Sequence, residues 1–406
     1  MKKKCVIVGV GMRGALSYVE PIAVGHLSDV CEMCGIYDKV RARAELCSKD
    51  YGNIPVYDSF LGMLDDVKPD FVIVTTKDSD HHEYVIAALT AGYDVVTEKP
   101  MTNSRKKAKA IMEAERRSGH RVLVTFNMRY MRPIVDLKRV CASGVIGDVR
   151  HIDFEWLLDR RHGADYFRRW HRYLENTNSL LLHKSTHHFD FCNWIIGNKV
   201  PEAVFARLNL DFYGKNGKLR GESCHSCEHK AECGYFWDIT KTDFEKRYYY
   251  DIEKESGYVR DGCIFAEDID IFDRMALNVR YKDGTTMNYS LLAYSPDEGC
   301  RIRLMGTKGR LEFEYLSSGP RKDVGDLKII TVDVNGNETV TLTGWETGDH
   351  GGADDKMRDH IFRGIDDGDP LGQCADSYAG YTSLAIGDMA VLSHKLKREV
   401  TIDELE

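Results

Sequence analysis

Between Lys4 and about Phe126, short apolar runs rich in β-branched residues alternate with longer amphipathic stretches, and this alternation restricts the fold more than any other feature. The runs CVIVGV, EMCGIYD, FVIVTT, DVVTEKP and RVLVTFN are apolar on both faces, as strands of a parallel sheet covered on both sides are. The stretches between them (RGALSYVEPIAV, KVRARAELCSKDYG, SFLGMLDDV, HHEYVIAALTAG and SRKKAKAIMEAERRSG) have helical patterning, and several end in glycine, a common C-cap. Strand–helix repetition at this spacing predicts a doubly wound α/β domain over residues 1–128.

After Arg129 the texture changes. A helix over about 133–143 and the turn SGVIGD lead to a long strand, VRHIDFEWLLD. Three hairpin patterns follow, with turn residues that tolerate positive φ at Asp283-Gly284, Lys308-Gly309 and Asn335-Gly336. Helices over roughly 354–365 and 376–396 close the chain. Residues 129–406 are therefore expected to form an α+β domain with a large, mainly antiparallel open sheet and a cysteine-rich insert at about 214–264. A hydrophobic content of 43% can fill two cores, and a net charge of −8 argues against a general nucleic-acid binder. No apolar run approaches the roughly 20 residues of a membrane span. The basic start MKKKCVIVGVGMRG has too short an apolar core for a signal peptide, so a cytoplasmic protein is expected.

Gly9-Val10-Gly11-Met12-Arg13-Gly14 is a GxGxxG that follows the first strand and opens the first helix. Such glycines allow a tight turn and let backbone N–H groups at a helix N-terminus approach a pyrophosphate, the fingerprint of a Rossmann domain. Asp38 ends the next strand, 24 residues after Gly14, where a carboxylate that takes the ribose hydroxyls is expected. An acid there disfavours a 2′-phosphate, so NAD is expected over NADP, although Arg41 and Arg43 lie close by.

Glu98-Lys99-Pro100 falls at a strand end, where ligands gather in open α/β sheets. Together with GVGMRG, the stretch TKDSDHHEYVIAALTAGYDVVTEKPMT and FNMRYMRP, it resembles the Gfo/Idh/MocA family, the glucose–fructose oxidoreductase and inositol dehydrogenase relatives. The resemblance spans essentially the whole chain. It implies that Lys99 lies beside the nicotinamide and the reacting hydroxyl, with Thr75, His81 and Glu98 at the same end of the cofactor. It also implies that Asn127, Arg129 and Tyr130 face the substrate. The family's T-P-N-x-x-H is here Thr76-Lys77-Asp78-Ser79-Asp80-His81, without the proline and the asparagine. A lysine held by a strand end can hydrogen-bond a hydroxyl and stabilise developing alkoxide charge while hydride leaves the carbon.

A second element of the family resembles D-x-x-x-H-x-x-D. Laid on LLLHKSTHHFD, it puts His187 at the histidine and Asp190 at the later aspartate, whereas the first aspartate position falls on His183. With Thr186 as N-cap of a helix THHFDFCNWIIG, His187 and Asp190 share a face and His183 meets the site from the preceding loop. His188 lies on another face, with Cys192 and Ile195 at i+4 and i+7, and packs toward the core at the border of the substrate region. The expected roles are His187 as general base, Lys99 as electrostatic partner, and His183 or Lys184 completing the substrate site. Upstream, DRRHGADYFRRWHRYLEN interleaves Arg160, Arg161, Arg168, Arg169 and Arg172 with aromatics, and Arg168 and Trp170 are candidate contacts for a sugar or an anionic glycoside.

ESCHSCEHKAECGYFWD places Cys224, Cys227 and Cys233 as CxxC followed by a third cysteine, with Cys263 a possible fourth. Zinc on four thiolates is the expected outcome, an iron–sulfur cluster the runner-up and a set of reduced thiols the alternative, with His225 and His229 further candidate ligands. The CxxC of Cys31 and Cys34 lies in a strand, where residues three apart point to opposite faces, and is given no metal role. The chain is thus expected to be an NAD-dependent oxidoreductase of a ring carbinol in a sugar, cyclitol or glycoside. The resemblance implies a homodimer or homotetramer that buries the open sheet face. It also offers an alternative, NAD-recycling cleavage of a glycoside through a transient ketone and elimination. A nucleotide-sensing protein without chemistry would have lost Lys99 or His187, and both are present.

Overall fold

The computed structural model describes residues 1–364 and 368–405, so residue 365 of the expected 354–365 helix lies outside the described residues. Five parallel strands, β1 (Lys3–Val8), β2 (Cys31–Tyr37), β3 (Phe71–Val74), β4 (Asp94–Thr97) and β5 (Val122–Val124), lie in the order β2-β1-β3-β4-β5. The central pair explains the doubly apolar runs: Cys5–Val8 and Phe71–Val74 are buried end to end between helices. Strand order reverses between β1 and β3, which opens a crevice beyond their carboxyl ends. The first helix begins at Met12 and opens into a π-helical turn over Ala15–Val19, just ahead of Pro21, whose missing N–H cannot sustain a regular ladder.

The second sheet contains β6 (Val149–Asp159), β7 (Pro201–Asn209), β8 (Arg274–Tyr281), β9 (Thr286–Ser295), β10 (Glu298–Gly306), β11 (Gly309–Ser318), β12 (Leu327–Asp333) and β13 (Glu338–Thr343). The chain then returns to the first sheet, where β14 (Ala375–Asp376) pairs antiparallel with β5, before β15 (Val400–Thr401) completes the second. Every pairing in the second sheet is antiparallel except β6 with β9. One face packs against the helices Thr186–Ile195 and Ser377–Leu396. The other is open and carries cross-strand ion pairs, Arg301 with Glu155 and Glu314 at 3.0 and 3.1 Å and Arg303 with Glu312 at 3.5 Å.

Three local expectations change. Gly284 and Gly336 adopt positive φ as expected, but Gly309 does not; it is glycine because a Cβ would lie 2.4 Å from the Val332 carbonyl oxygen of β12. Thr186 is the first helical residue rather than the N-cap, and its hydroxyl is spent on Ser383 at 3.1 Å. His183 ends a short helix, Leu180–His183, rather than lying in a loop.

The end of the chain also closes the first domain. Helix Ala353–Arg363 buries Met357 and Phe362 in one core with Val10, Ala15, Tyr18 and Phe71. The Phe362 ring meets Phe71 edge-on, with centroids 5.6 Å apart. Truncating a buried phenylalanine costs about 3–5 kcal/mol. Phe362→Ala is therefore expected to lower the unfolding free energy of the first domain by that amount, read as a lower urea midpoint, and an unchanged midpoint would remove the clamp assigned to this helix.

Candidate active site

The crevice starts at the glycine turn. Gly9 has φ +88°, and a Cβ there would lie 2.9 Å from the Thr75 carbonyl oxygen. Gly14 packs so close that a Cβ would meet Gly9 O at 2.2 Å, and Thr75 Oγ1 donates to the same Gly9 carbonyl. Asp38 accepts from the N–H groups of Val10 and Val40, both at 2.8 Å, so the ribose-side carboxylate also braces the turn. Arg43 lies 3.4 Å from Asp38, and Arg41 pairs with Glu45 and Asp58. The turn fits a dinucleotide: its glycines leave the backbone bare at the helix N-terminus, where N–H groups favour phosphate oxygens. Met12 N–H, one of those donors, is here given to the Tyr249 hydroxyl at 2.9 Å.

Paired charges tie this turn to the Glu98-Lys99-Pro100 segment. Arg13 donates to Glu98 at 2.7 Å and to Asp354 at 2.8 Å. Tyr18 donates to Glu98 at 2.8 Å, and Asn127 to Asp354 at 2.7 Å. Burial alone would raise the Glu98 carboxyl, but the Arg13 guanidinium outweighs it and holds the group below its ordinary value. Glu98 and Asn127 therefore position neighbours. His81 does the same, since its nitrogens meet the carbonyls of Pro100 and Thr76 at 2.9 and 3.1 Å and bracket the strand end.

Lys99 is the one residue of that segment aimed across the crevice, its Nζ donating to the His183 carbonyl at 3.2 Å. Burial lowers its pKa to about 8, against the upward pull of Glu98 and Asp78. The His183 ring is held by Asp78, Nδ1 to Oδ2 at 2.7 Å, and both side chains are buried. Burial raises the Asp78 carboxyl and lowers the His183 imidazole, with the Lys99 and Arg169 cations opposing the first and reinforcing the second. Around His183 stand His171, Tyr166 and Trp170, with ring centroids at 4.0, 5.6 and 5.8 Å. His187 lies edge-on to Phe126 at 5.9 Å, and its buried Nδ1 has no partner among the described residues. Burial, then the Lys99 and Lys184 cations, keep His187 well below the usual histidine range, so it is neutral. Lys184 places its ammonium 5.2 Å over the Trp156 ring.

Lys99, His183, Lys184, His187 and Trp170 thus come together, and Asp78 and His171 join them without having been singled out in the sequence. The cue for Asp78 was the aspartate standing where the resembling motif has asparagine; no pattern marked His171. Other candidates go elsewhere. His188 is stacked on Trp156 at 4.1 Å and bonded to Tyr289 at 2.7 Å, a core position. Asp190 forms a buried two-point ion pair with Arg129 at 2.6 and 2.7 Å, and Tyr130 bonds His360 at 2.8 Å. Arg168 turns away to Cys224 Sγ at 2.9 Å.

A glycine turn joined through Arg13 and Glu98 to a lysine beside an aspartate–histidine pair is the arrangement of a dinucleotide-dependent oxidoreductase. The chain belongs to the Gfo/Idh/MocA oxidoreductase family: residues 3–126 match its NAD-binding Rossmann fold and residues 138–402 its C-terminal alpha/beta domain. It is 32% identical over 428 aligned positions to the Bacillus subtilis strain 168 protein named as an oxidoreductase, YteT, covering 99% of this chain and 98% of that one. It is 30% identical over 129 residues to the Escherichia coli K12 D-glucoside 3-dehydrogenase, 30% of this chain and 37% of that one. The fold matches an Agrobacterium radiobacter oxidoreductase crystallised with NAD+, L-tartaric acid and magnesium, with a TM-score of 0.66, 16% identity and full coverage of both chains. No helix among the described residues is long and apolar enough to cross a membrane.

Removing one partner of a buried ion pair strands the other charge and costs about 3–5 kcal/mol. Asp190→Ala should therefore lower unfolding stability by that amount, through Arg129, while leaving dinucleotide affinity in the folded protein unchanged. A stable Asp190→Ala protein with weakened substrate binding would instead return Asp190 to the substrate site.

Proposed function

We propose that the protein oxidises a ring carbinol of a sugar, cyclitol or glycoside, with NAD rather than NADP as the hydride acceptor. The observation that carries this is the Lys99 ammonium held across the crevice from the glycine turn, beside the Asp78–His183 pair. The preference for NAD rests on Asp38 at the end of β2 and on Arg41 and Arg43 being engaged by carboxylates.

A bound nicotinamide would supply the electrophile for hydride. The chain supplies the rest. Lys99 donates a hydrogen bond to the reacting hydroxyl and stabilises the negative charge that grows on its oxygen. His187, neutral and with a free buried nitrogen, takes the hydroxyl proton as general base. Asp78 fixes the orientation of His183, which completes the polar wall with Lys184, and Trp170 offers an aromatic face to a sugar ring. The homodimer or homotetramer expected from the resemblance would bury the open face of the second sheet.

Lys99→Ala and His187→Ala should each lower kcat/KM by about 10²–10⁴-fold at saturating cofactor. Because burial brings Lys99 to about 8, its cation is lost as pH rises through that value. Activity should therefore fall above about pH 8, and Lys99→Arg should move that limb upward. A flat profile to pH 10 would remove Lys99 from the role of charged donor.

The Asp78–His183 pair also favours a second outcome, since it adds an aspartate-oriented histidine beyond the base a simple oxidation uses. Transient oxidation acidifies the neighbouring C–H, a base removes that proton, the aglycone leaves and hydride returns. A screen of sugars, cyclitols, uronates and glycosides with NAD+ or NADP+, followed by absorbance and mass spectrometry, separates the two. Net NADH with a ketone two hydrogens lighter establishes the dehydrogenase, and aglycone release without NADH establishes cleavage. Neither signal with any carbohydrate would overturn the assignment.

A further inference from the structure

The segment between β7 and β8 gathers Cys224, Cys227, Cys233 and Cys263 around one small cavity, together with Arg168 and Tyr235. Backbone pairing does this deliberately. Ser223 and Gly262 form an antiparallel bridge, Cys224 N–H donates to the Asp261 carbonyl at 2.8 Å, and Cys263 N–H donates to the Glu222 carbonyl at 3.0 Å. The distant fourth cysteine is thereby laid beside the first. Cys227 N–H turns back to the Cys224 carbonyl at 3.3 Å, and Cys233 N–H to that of His229 at 3.0 Å. None of the four is in a disulfide.

Arg168 supplies an independent observation. Its side chain is buried, 7% exposed, and among the described residues it has no carboxylate within ion-pair distance. Its polar partners are Cys224 Sγ at 2.9 Å and the Tyr235 carbonyl, with the Trp237 ring 5.9 Å away. A buried guanidinium without a counter-charge is strongly unfavourable, and guanidiniums cannot shed their proton to escape. The Arg168 N–H aimed at Cys224 Sγ is the supporting hydrogen bond that orients a metal-bound sulfur. Clustered thiolates in turn repel one another unless a metal holds them.

We propose that Cys224, Cys227, Cys233 and Cys263 hold a single metal ion, zinc, through four thiolates. The cavity they line is about 20 Å³, room for one water-sized atom, which suits one tetrahedral ion and is too small for the eight atoms of an iron–sulfur cluster. The centre is structural. Between its third and fourth ligands lie Arg247, Tyr249 and Glu255, which contact Asp50, Met12 and Ala42 of the first domain. It therefore anchors both ends of the segment laid over the dinucleotide turn.

The test is metal and acid-labile sulfide analysis of the full chain purified without air, with its visible spectrum. About one zinc per chain, without acid-labile sulfide and in a colourless protein, is expected. Cys224→Ser and Cys263→Ser should lose it, while Cys34→Ser keeps it. About four iron and four sulfide per chain with a broad visible absorption would overturn the single ion. No metal, with all four thiols open to alkylation in the native protein, would overturn the centre itself. The wild-type measurement decides the matter even where a serine variant fails to fold.

Discussion

The Arg13 guanidinium lies between Glu98 and Asp354, carboxylates from the end of β4 and from a helix near the end of the chain. Glu98 and Asp354 are buried where an unpaired charge is costly, so each is held where the partly exposed Arg13 can reach both. Through this chain of charges the glycine turn, the Lys99 segment and helix Ala353–Arg363 keep one relative placement. The crevice between the domains inherits its shape from that placement. Hydrophobic burial builds the two sheets, but directional pairing of charges sets how they face one another.

The proposed chemistry depends on the same principle applied to fewer groups. Lys99, Asp78, His183 and His187 share a buried space in which every added charge is felt by the others. The Lys99 cation accompanies the Asp78 carboxylate and discourages protonation of both imidazoles. Histidine stands at 183 where the resembling motif has aspartate, and aspartate at 78 where it has asparagine. The two departures are partners at 2.7 Å.

Much of the fold was legible because its signals are local. Strands such as Cys5–Val8 and Phe71–Val74 announce burial on both faces by composition alone, and Gly9 marks a turn that only glycine can make. The hairpins at Gly284 and Gly336 are equally local. Gly309 was misjudged because its reason is a neighbouring strand's carbonyl rather than its own φ. His188, Asp190, Arg129 and Arg168 have the residue types of a site, yet their partners, Tyr289, each other and Cys224, make three of them core groups and one a prop of the insert.

The sequence by itself determined the two-domain architecture, the dinucleotide turn and the Cys224–Cys233 run, since each rests on periodicity or on spacing along a few neighbouring residues. Only the tertiary structure decided which titratable groups meet. Asp78 and His183 are far apart in the chain, as are Tyr249 and Met12, and Arg13 and Asp354. Whether such groups pair depends on the crossing of two sheets and on which buried charge finds an opposite one, and no local pattern encodes that.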